Sequence, residues 1–225
     1  MARFKRGRAI LTIARWTLAV LAVLTGFGCG AQQVVPSTAQ PPKTGSNSVL
    51  IREPFEKVWS RAIPQISKSF FVINNIDKSS GFLSVGYTGD PEKYVDCGTI
   101  HSKWGVNIAD FPVAKVRQEW IGPAGSLHAA NYAQHVTLDA RMNMVFERVS
   151  SDSTRVTVNA RYVVTRRVAK QILGGFSPAE VTEETASFNS GGVADLGTAV
   201  CMPNGKFESE AMAVISLVST GSRIN

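Results

Sequence analysis

The stretch Val136-Thr137-Leu138-Asp139-Ala140-Arg141-Met142-Asn143-Met144-Val145-Phe146-Glu147 decides the fold. Its even positions are all apolar, and Thr137, Asp139, Arg141, Asn143 and Glu147 occupy the odd ones. Side chains of a strand point alternately to its two faces, so this pattern is a strand with one dry and one wet side. Ser150 to Thr154 supplies a polar turn, and the pattern then repeats: Val156, Val158, Ala160, Tyr162 and Val164 alternate with Thr157, Asn159, Arg161 and Thr165. Two long amphipathic strands with a tight connection make an antiparallel hairpin that needs a partner layer on one face only.

Working outward, the sequence supplies that layer. Upstream, Pro54 suits the first turn of a helix. Phe55, Val58, Trp59, Ala62, Ile63, Ile66 and Phe70 follow the helical period, with Pro64 expected to kink or shorten it. Val49–Ile51 reads as a short strand. Phe71–Ile73 and Phe82–Tyr87 read as two more, joined by the turn-rich run Asp77-Lys78-Ser79-Ser80-Gly81. Downstream, Glu184–Phe188 is a further strand candidate. Asn204 can cap a terminal helix carrying Phe207, Ala211, Val214, Ile215 and Val218, with Glu208 and Glu210 suited to its positive end. The expectation is a single α+β domain over residues 49–225: a largely antiparallel, curved sheet with a long helix from the N-terminal half and a C-terminal helix on one face. Residues 98–131 lack a long periodic element and read as an irregular insertion carrying Trp104, Phe111 and Trp120, candidate anchors for a partner. Those aromatics equally suit a small satellite core.

The segment that opens Pro54-Phe55-Glu56-Lys57-Val58-Trp59, runs into Phe71-Val72-Ile73 and meets Asp77 and Gly81 before a strand resembles the BamC-like helix-grip modules of proteobacterial outer-membrane lipoproteins. The likeness covers this segment and, in outline, the terminal helix. It implies a non-enzymatic domain that binds a partner protein.

The N-terminus carries an address. Arg3, Lys5, Arg6, Arg8 and Arg15 precede thirteen uncharged residues, Trp16 to Gly28. A basic start, a short apolar run and small residues before a cut site are the anatomy of an export signal over residues 1–28. A membrane span needs about 20 apolar residues; that length is reached here only by burying Arg15, which makes a retained anchor the weaker reading. Leu24-Thr25-Gly26-Phe27-Gly28-Cys29 resembles the lipobox of bacterial lipoproteins, although Gly26 stands where Leu is usual. The resemblance implies lipidation of Cys29, detectable with palmitate, and Gly30 after it implies passage to the outer membrane, facing the periplasm. The alternative is an ordinary signal cut near Gly28 or Ala31. Residues 29–48, rich in Pro, Gly, Ser, Thr and Gln, read as a flexible tether.

Removal of the leader also corrects the charge. The chain of 225 residues carries 24 Lys and Arg against 17 Asp and Glu, a net +7. Residues 1–28 hold five of the basic residues and none of the acidic ones, so 19 remain against 17, a net +2. A basicity that would have suggested nucleic acid resides mostly in the leader, and nucleic acid is not an expected partner.

Of three cysteines, Cys97 and Cys201 remain once Cys29 is assigned to lipid, an even pair in an oxidising compartment and so an expected disulfide. The rival reading makes Cys97 a nucleophile beside His101. His101, His128 and His135 stand without an HExxH or paired CxxC motif, and Asp90, Asp96 and Asp110 lie in turn-like sequence. No GxSxG elbow or glycine-rich phosphate loop occurs, and Gly174-Gly175 and Gly191-Gly192 read as loop hinges. No catalytic residue, metal or cofactor is expected. Arg155, Arg161, Arg166, Arg167 and Lys170 place positive charge along and after the second long strand. That is a solvated sheet face, or a docking patch for anionic lipid or a protein, with Arg166 and Arg167 as candidate contacts. The leading expectation is a lipid-anchored accessory protein that binds another envelope protein in assembly, secretion or pilus-type machinery. A lipid or small-molecule carrier lined by Met142, Met144 and Phe146 is the second, and an envelope hydrolase the third.

Overall fold

In the computed structural model residues 30–38 and 47–220 are described. The alternating stretch becomes two very long strands, β9 (Ala129–Ser150, 22 residues) and β10 (Ser153–Ile172, 20 residues), paired antiparallel from end to end. At about 3.4 Å per residue this hairpin is roughly 70 Å long. Preceding it are β1 (Ala31–Val35), β2 (Ser48–Ile51), helix α1 (Phe55–Lys68), β3 (Val72–Asp77), β4 (Phe82–Gly89), β5 (Val95–Asp96), β6 (Thr99–Trp104), β7 (Asn107–Pro112) and β8 (Arg117–Pro123). Following it are β11 (Glu180–Asn189), β12 (Ala194–Asp195), β13 (Val200–Pro203) and helix α2 (Lys206–Thr220).

The hairpin is the spine, and shorter strands flank it at two levels. Near its turn, β4 pairs with β9 over Phe82–Gly89 and carries β3 outside it, while β2 pairs with the start of β10. Toward the other end, β8 pairs with β9 at residues 129–135, and β11 pairs with β10 at residues 161–170. Two small sheets, β1-β6-β7 and β12-β13-β5, complete an α+β architecture that is mostly antiparallel sheet with two helices.

The even positions of both long strands point inward, as the alternation requires: Leu138, Ala140, Met142, Met144 and Phe146 face Val156, Val158, Ala160, Tyr162 and Val164, all buried. Near the turn this face is covered by α1 and α2. Trp59 meets the Phe146 ring edge-on at 5.1 Å between centroids, and Phe207 lies 5.9 Å from Tyr162. Burying one such aromatic stabilises by about 3 kcal/mol. Helix α1 continues through Pro64 and ends at Lys68, before Phe70 of the apolar pattern. A proline removes one backbone donor, but the buried stripe Phe55, Val58, Trp59, Ala62 and Ile66 holds the helix against the sheet. Asn204 caps α2 as anticipated, its Oδ1 accepting from the Lys206 N–H at 3.0 Å.

The β3–β4 turn is built by Asp77, whose carboxylate accepts from the Ser79 hydroxyl at 2.6 Å and from the Ser80 hydroxyl at 2.7 Å. Those hydroxyls, Ser79 first, hold the Asp77 carboxyl down at about 2. Gly81 follows with φ +69°, and any Cβ there would strike the Phe146 carbonyl. Only glycine fits a left-handed residue pressed against a neighbouring strand.

Two expectations for the N-terminal half are corrected. Residues 98–131 are not an irregular insertion: they hold β6, β7 and β8 and enter a continuous sheet and a small second one. The strands are short and carry turns between them, so no long period marks them. The tether read over residues 29–48 is not free at its start, because β1 pairs with β6 in register Ala31↔Lys103 to Val35↔Thr99 and Ser37 donates to Asp96 at 2.5 Å. Residues 39–46, Cys29 and the segment 1–28 read as an export signal lie outside the described residues.

Candidate interaction site

The odd positions of the spine face solvent, and at the end away from the turn they form a built surface. Register across β8, β9 and β10 sets three rows on this outer face: Arg117, His135 and Arg167; then Glu119, Ala133 and Ala169; then Ile121, Asn131 and Gln171. Same-face rows along a strand lie about 7 Å apart. The middle row ends in two alanines, so its neighbours stand over a trough floored by Ala133 and Ala169. The trough opens as a groove of about 500 Å³ toward Asn131, Gln171 and Ala179, and as one of about 340 Å³ toward Arg117, His135 and Arg167. One wall is cationic and the other an amide pair, the Glu119 carboxylate stands at the β8 end of the middle row between them, and Val181 of β11 extends the floor opposite Ala169.

The sequence-derived contacts distribute differently from the expectation. Phe111 and Trp120 are buried, their rings 4.9 Å apart, and Trp120 stacks on Tyr132 at 5.0 Å. They seal β7 onto the inner face of β8 and β9 and are unavailable as partner anchors. Trp104 lies half-buried at the end of β6. Arg166 is also buried, 5% exposed, because its even position points inward. Arg167, at the odd position, faces outward beside the trough and makes no ion pair among the described residues. Arg155 and Lys170 are matched by Glu147 and Glu180, each at 3.1 Å, which leaves the predicted basic stripe largely neutralised.

Two hydrogen-bonded clusters gather buried polar side chains on the inner side of the sheet. Arg166 donates through Nε to Gln134 at 3.0 Å and through Nη1 to Thr198 at 2.8 Å and Glu184 at 3.4 Å. Gln134 in turn donates to the carbonyls of Val113 at 3.3 Å and Lys115 at 3.1 Å, tying the loop before β8 to the spine. Burial pulls the Arg166 guanidinium below its ordinary value, and Glu184 opposes that shift. Under α2, Tyr162 donates to Glu208 at 2.7 Å and Ser190 donates to the same carboxylate at 2.6 Å. Tyr94 donates to Glu210 at 2.7 Å. Burial, reinforced by these carboxylates, pushes both tyrosines well above their ordinary 10.0. Such closed networks hold elements in place; a buried charge kept in a hydrogen-bonded cluster defines one packing.

Cys97 and Cys201 form the expected disulfide, which removes Cys97 as a nucleophile. His101 pairs instead with Asp110 across β6 and β7 at 2.5 Å on the surface. Among the described residues no group of three or more His, Cys, Asp or Glu could hold a metal ion, and no helix is long and apolar enough to cross a membrane. Met142, Met144 and Phe146, the lining expected of a carrier, are fully packed between the sheet and its helices.

The buried cluster had a signal that pattern reading passes over: Gln134 and Arg166 are polar residues at inward-phase positions. The trough had none in one strand alone, since Ala133 and Ala169 become neighbours only through the register. Comparison with protein families, curated proteins and solved structures finds no match to this chain.

Proposed function

We propose that this chain is a lipid-anchored accessory protein of the cell envelope, held at the outer membrane through Cys29 and facing the periplasm. It is non-enzymatic, and it grips a segment of another envelope protein in the trough across β8, β9 and β10. The observation that carries this reading is the trough itself, a wide groove floored by Ala133 and Ala169 and rimmed by Arg117, Glu119, His135, Arg167, Asn131 and Gln171. A protein interface combines a small apolar floor with a polar rim, whereas a small-molecule site buries most of its ligand in an enclosed pocket. The packed state of Met142, Met144 and Phe146 weighs against the carrier reading. Two helices on an antiparallel sheet support the likeness to helix-grip modules, and with it a place in outer-membrane assembly, secretion or pilus-type machinery.

Site-specific photocrosslinking in intact cells tests the proposal. A photoreactive residue at Ala133 or Ala169 of the full chain is expected to give one discrete adduct, lost on Arg167→Glu and absent from Asn143 on the same face near the turn. Equal adducts from Asn143, or none from the trough, would sink the reading.

A further inference from the structure

Two hairpins, β8–β9 and β10–β11, turn side by side at the end of the spine farthest from the β9–β10 turn, and a third, β6–β7, runs toward that end. The β8–β9 loop closes through the Ala124 N–H on the His128 carbonyl at 2.7 Å, and the β10–β11 loop begins beside it with the Leu173 N–H on the Ala129 carbonyl at 2.9 Å. The β6–β7 hairpin advances along β8 in the same direction. Its base lies at Val113, whose carbonyl takes Gln134; next Phe111 meets Trp120; then Ser102 reaches the level of Gly122, where a Cβ would lie 2.7 Å from its hydroxyl. Continuing that progression puts Gly105 and Val106 level with the other two tips.

These tips are apolar where loops are usually polar. Val106 is 96% exposed, Leu127 82% and Phe176 entirely, with Ile108 at 66% beside them. Residues 103–108, 123–129 and 171–179 contain no Asp or Glu, and Lys103 is their only Lys or Arg. The described chain also begins here: Gly30 lies against the Trp104 ring and Ala31 pairs with Lys103. One residue therefore separates the β-sheet from Cys29, and the apolar run Trp16–Gly28 lies immediately before it.

We propose that this end is a bilayer-docking face, in which Val106, Leu127 and Phe176 enter the interfacial zone of the membrane that holds the chain at Cys29. Large exposed apolar side chains free of carboxylates are cheap to desolvate and gain from burial in the acyl boundary. A lipid anchor joined to a rigid strand cannot swing the domain away, so the anchor and the tips act as two membrane contacts on one body. The spine then stands out from the bilayer, with its β9–β10 turn and both helices held away from the surface. From the anchor reading the proposal takes only that the chain enters the membrane just before Gly30.

The test uses the full chain reconstituted in phosphatidylethanolamine and phosphatidylglycerol vesicles, with Phe176→Cys, Leu127→Cys or, at the opposite end, Asp152→Cys carrying an environment-sensitive dye. Labelling of the parent chain sets the background. Dye at residues 176 and 127 is expected to shift to the blue and to lose most of its emission when the acyl chains are brominated, while dye at residue 152 does neither. A water-like spectrum at both tips overturns the proposal. So does a blue shift without bromine quenching, which would mean burial against protein. Palmitate labelling of the wild type against Cys29→Ser scores the anchor separately: equal labelling removes the lipid at Cys29 but leaves the dye result to stand by itself.

Discussion

The two ends of the β9–β10 hairpin share one alternation of inward and outward residues, yet they bury different chemistry. Near the turn the inward face is Met142, Met144, Phe146, Val156 and Val158, closed by two helices whose contacts are mainly apolar and aromatic, with Glu208 and Glu210 of α2 held by tyrosine hydroxyls. At the far end the inward positions include Gln134 and Arg166, closed by short strands and loops through hydrogen bonds. Helices bring an apolar stripe to a sheet, whereas a loop brings carbonyls that need donors. The difference teaches why Arg166 is inside: it and Gln134 supply donors that satisfy irregular backbone and the Thr198 and Glu184 side chains where no helix reaches. The outward faces differ in parallel. Only the far end has the Ala133–Ala169 trough and the apolar tips, so stability is concentrated near the turn and candidate contacts at the other end.

The largest test of that division is the Cys97–Cys201 bond, which closes a separation of 104 residues and ties β13 to the start of the β6–β7 hairpin. The joint Cys97→Ser/Cys201→Ser variant is expected to lose up to about 4.7 kcal/mol by the loop-closure estimate. If denaturant unfolding then shows two transitions, the far end unfolds as a separate unit; one transition would show that the spine alone couples the ends. Next comes Arg166→Ala, expected to cost about 3 kcal/mol because Glu184 loses its cationic partner and the Gln134 Oε1 its donor. Arg166→Met/Glu184→Leu, which removes both charges, should recover most of that loss. A double variant as unstable as the single one would break the account of this cluster as a paired network.

The smallest effect belongs to the end near the turn. Tyr162 and Tyr94 hold their phenolic protons more tightly in the folded chain than their ordinary 10.0. Their contribution is therefore complete below that value, and stability falls as pH rises past it. Urea midpoints measured from about pH 9 to about pH 11 should decline, and less steeply in Tyr162→Phe. An unchanged slope in that variant would remove Tyr162 from the linkage.

Much of the fold was legible because period-two patterning survives in a strand whose two faces meet different media. The long hairpin, the apolar stripe of α1 and the Asn204 cap of α2 all follow from local physics. Strands β6, β7 and β8 were not legible: they are six, six and seven residues long. Their pairing partners lie in separate segments, including β1, which composition alone assigns to a tether. Of the two adjacent arginines read together as candidate contacts, Arg167 faces outward and Arg166 is buried, since charge patterning ignores strand phase. Phe111 and Trp120 marked a real cluster, but which side of it faces water depends on the sheet they close.

By itself the sequence determined the spine, the phase of its residues and the pairing of Cys97 with Cys201. Each depends on near neighbours or on a count. Tertiary structure alone decided that Ala133 and Ala169 lie side by side, that Gln134 and Arg166 share one cluster, and that Gly30 lies against the Trp104 ring of the β6–β7 hairpin. Those are matters of register and of which strands pair, and they are set by contacts between residues far apart in the chain.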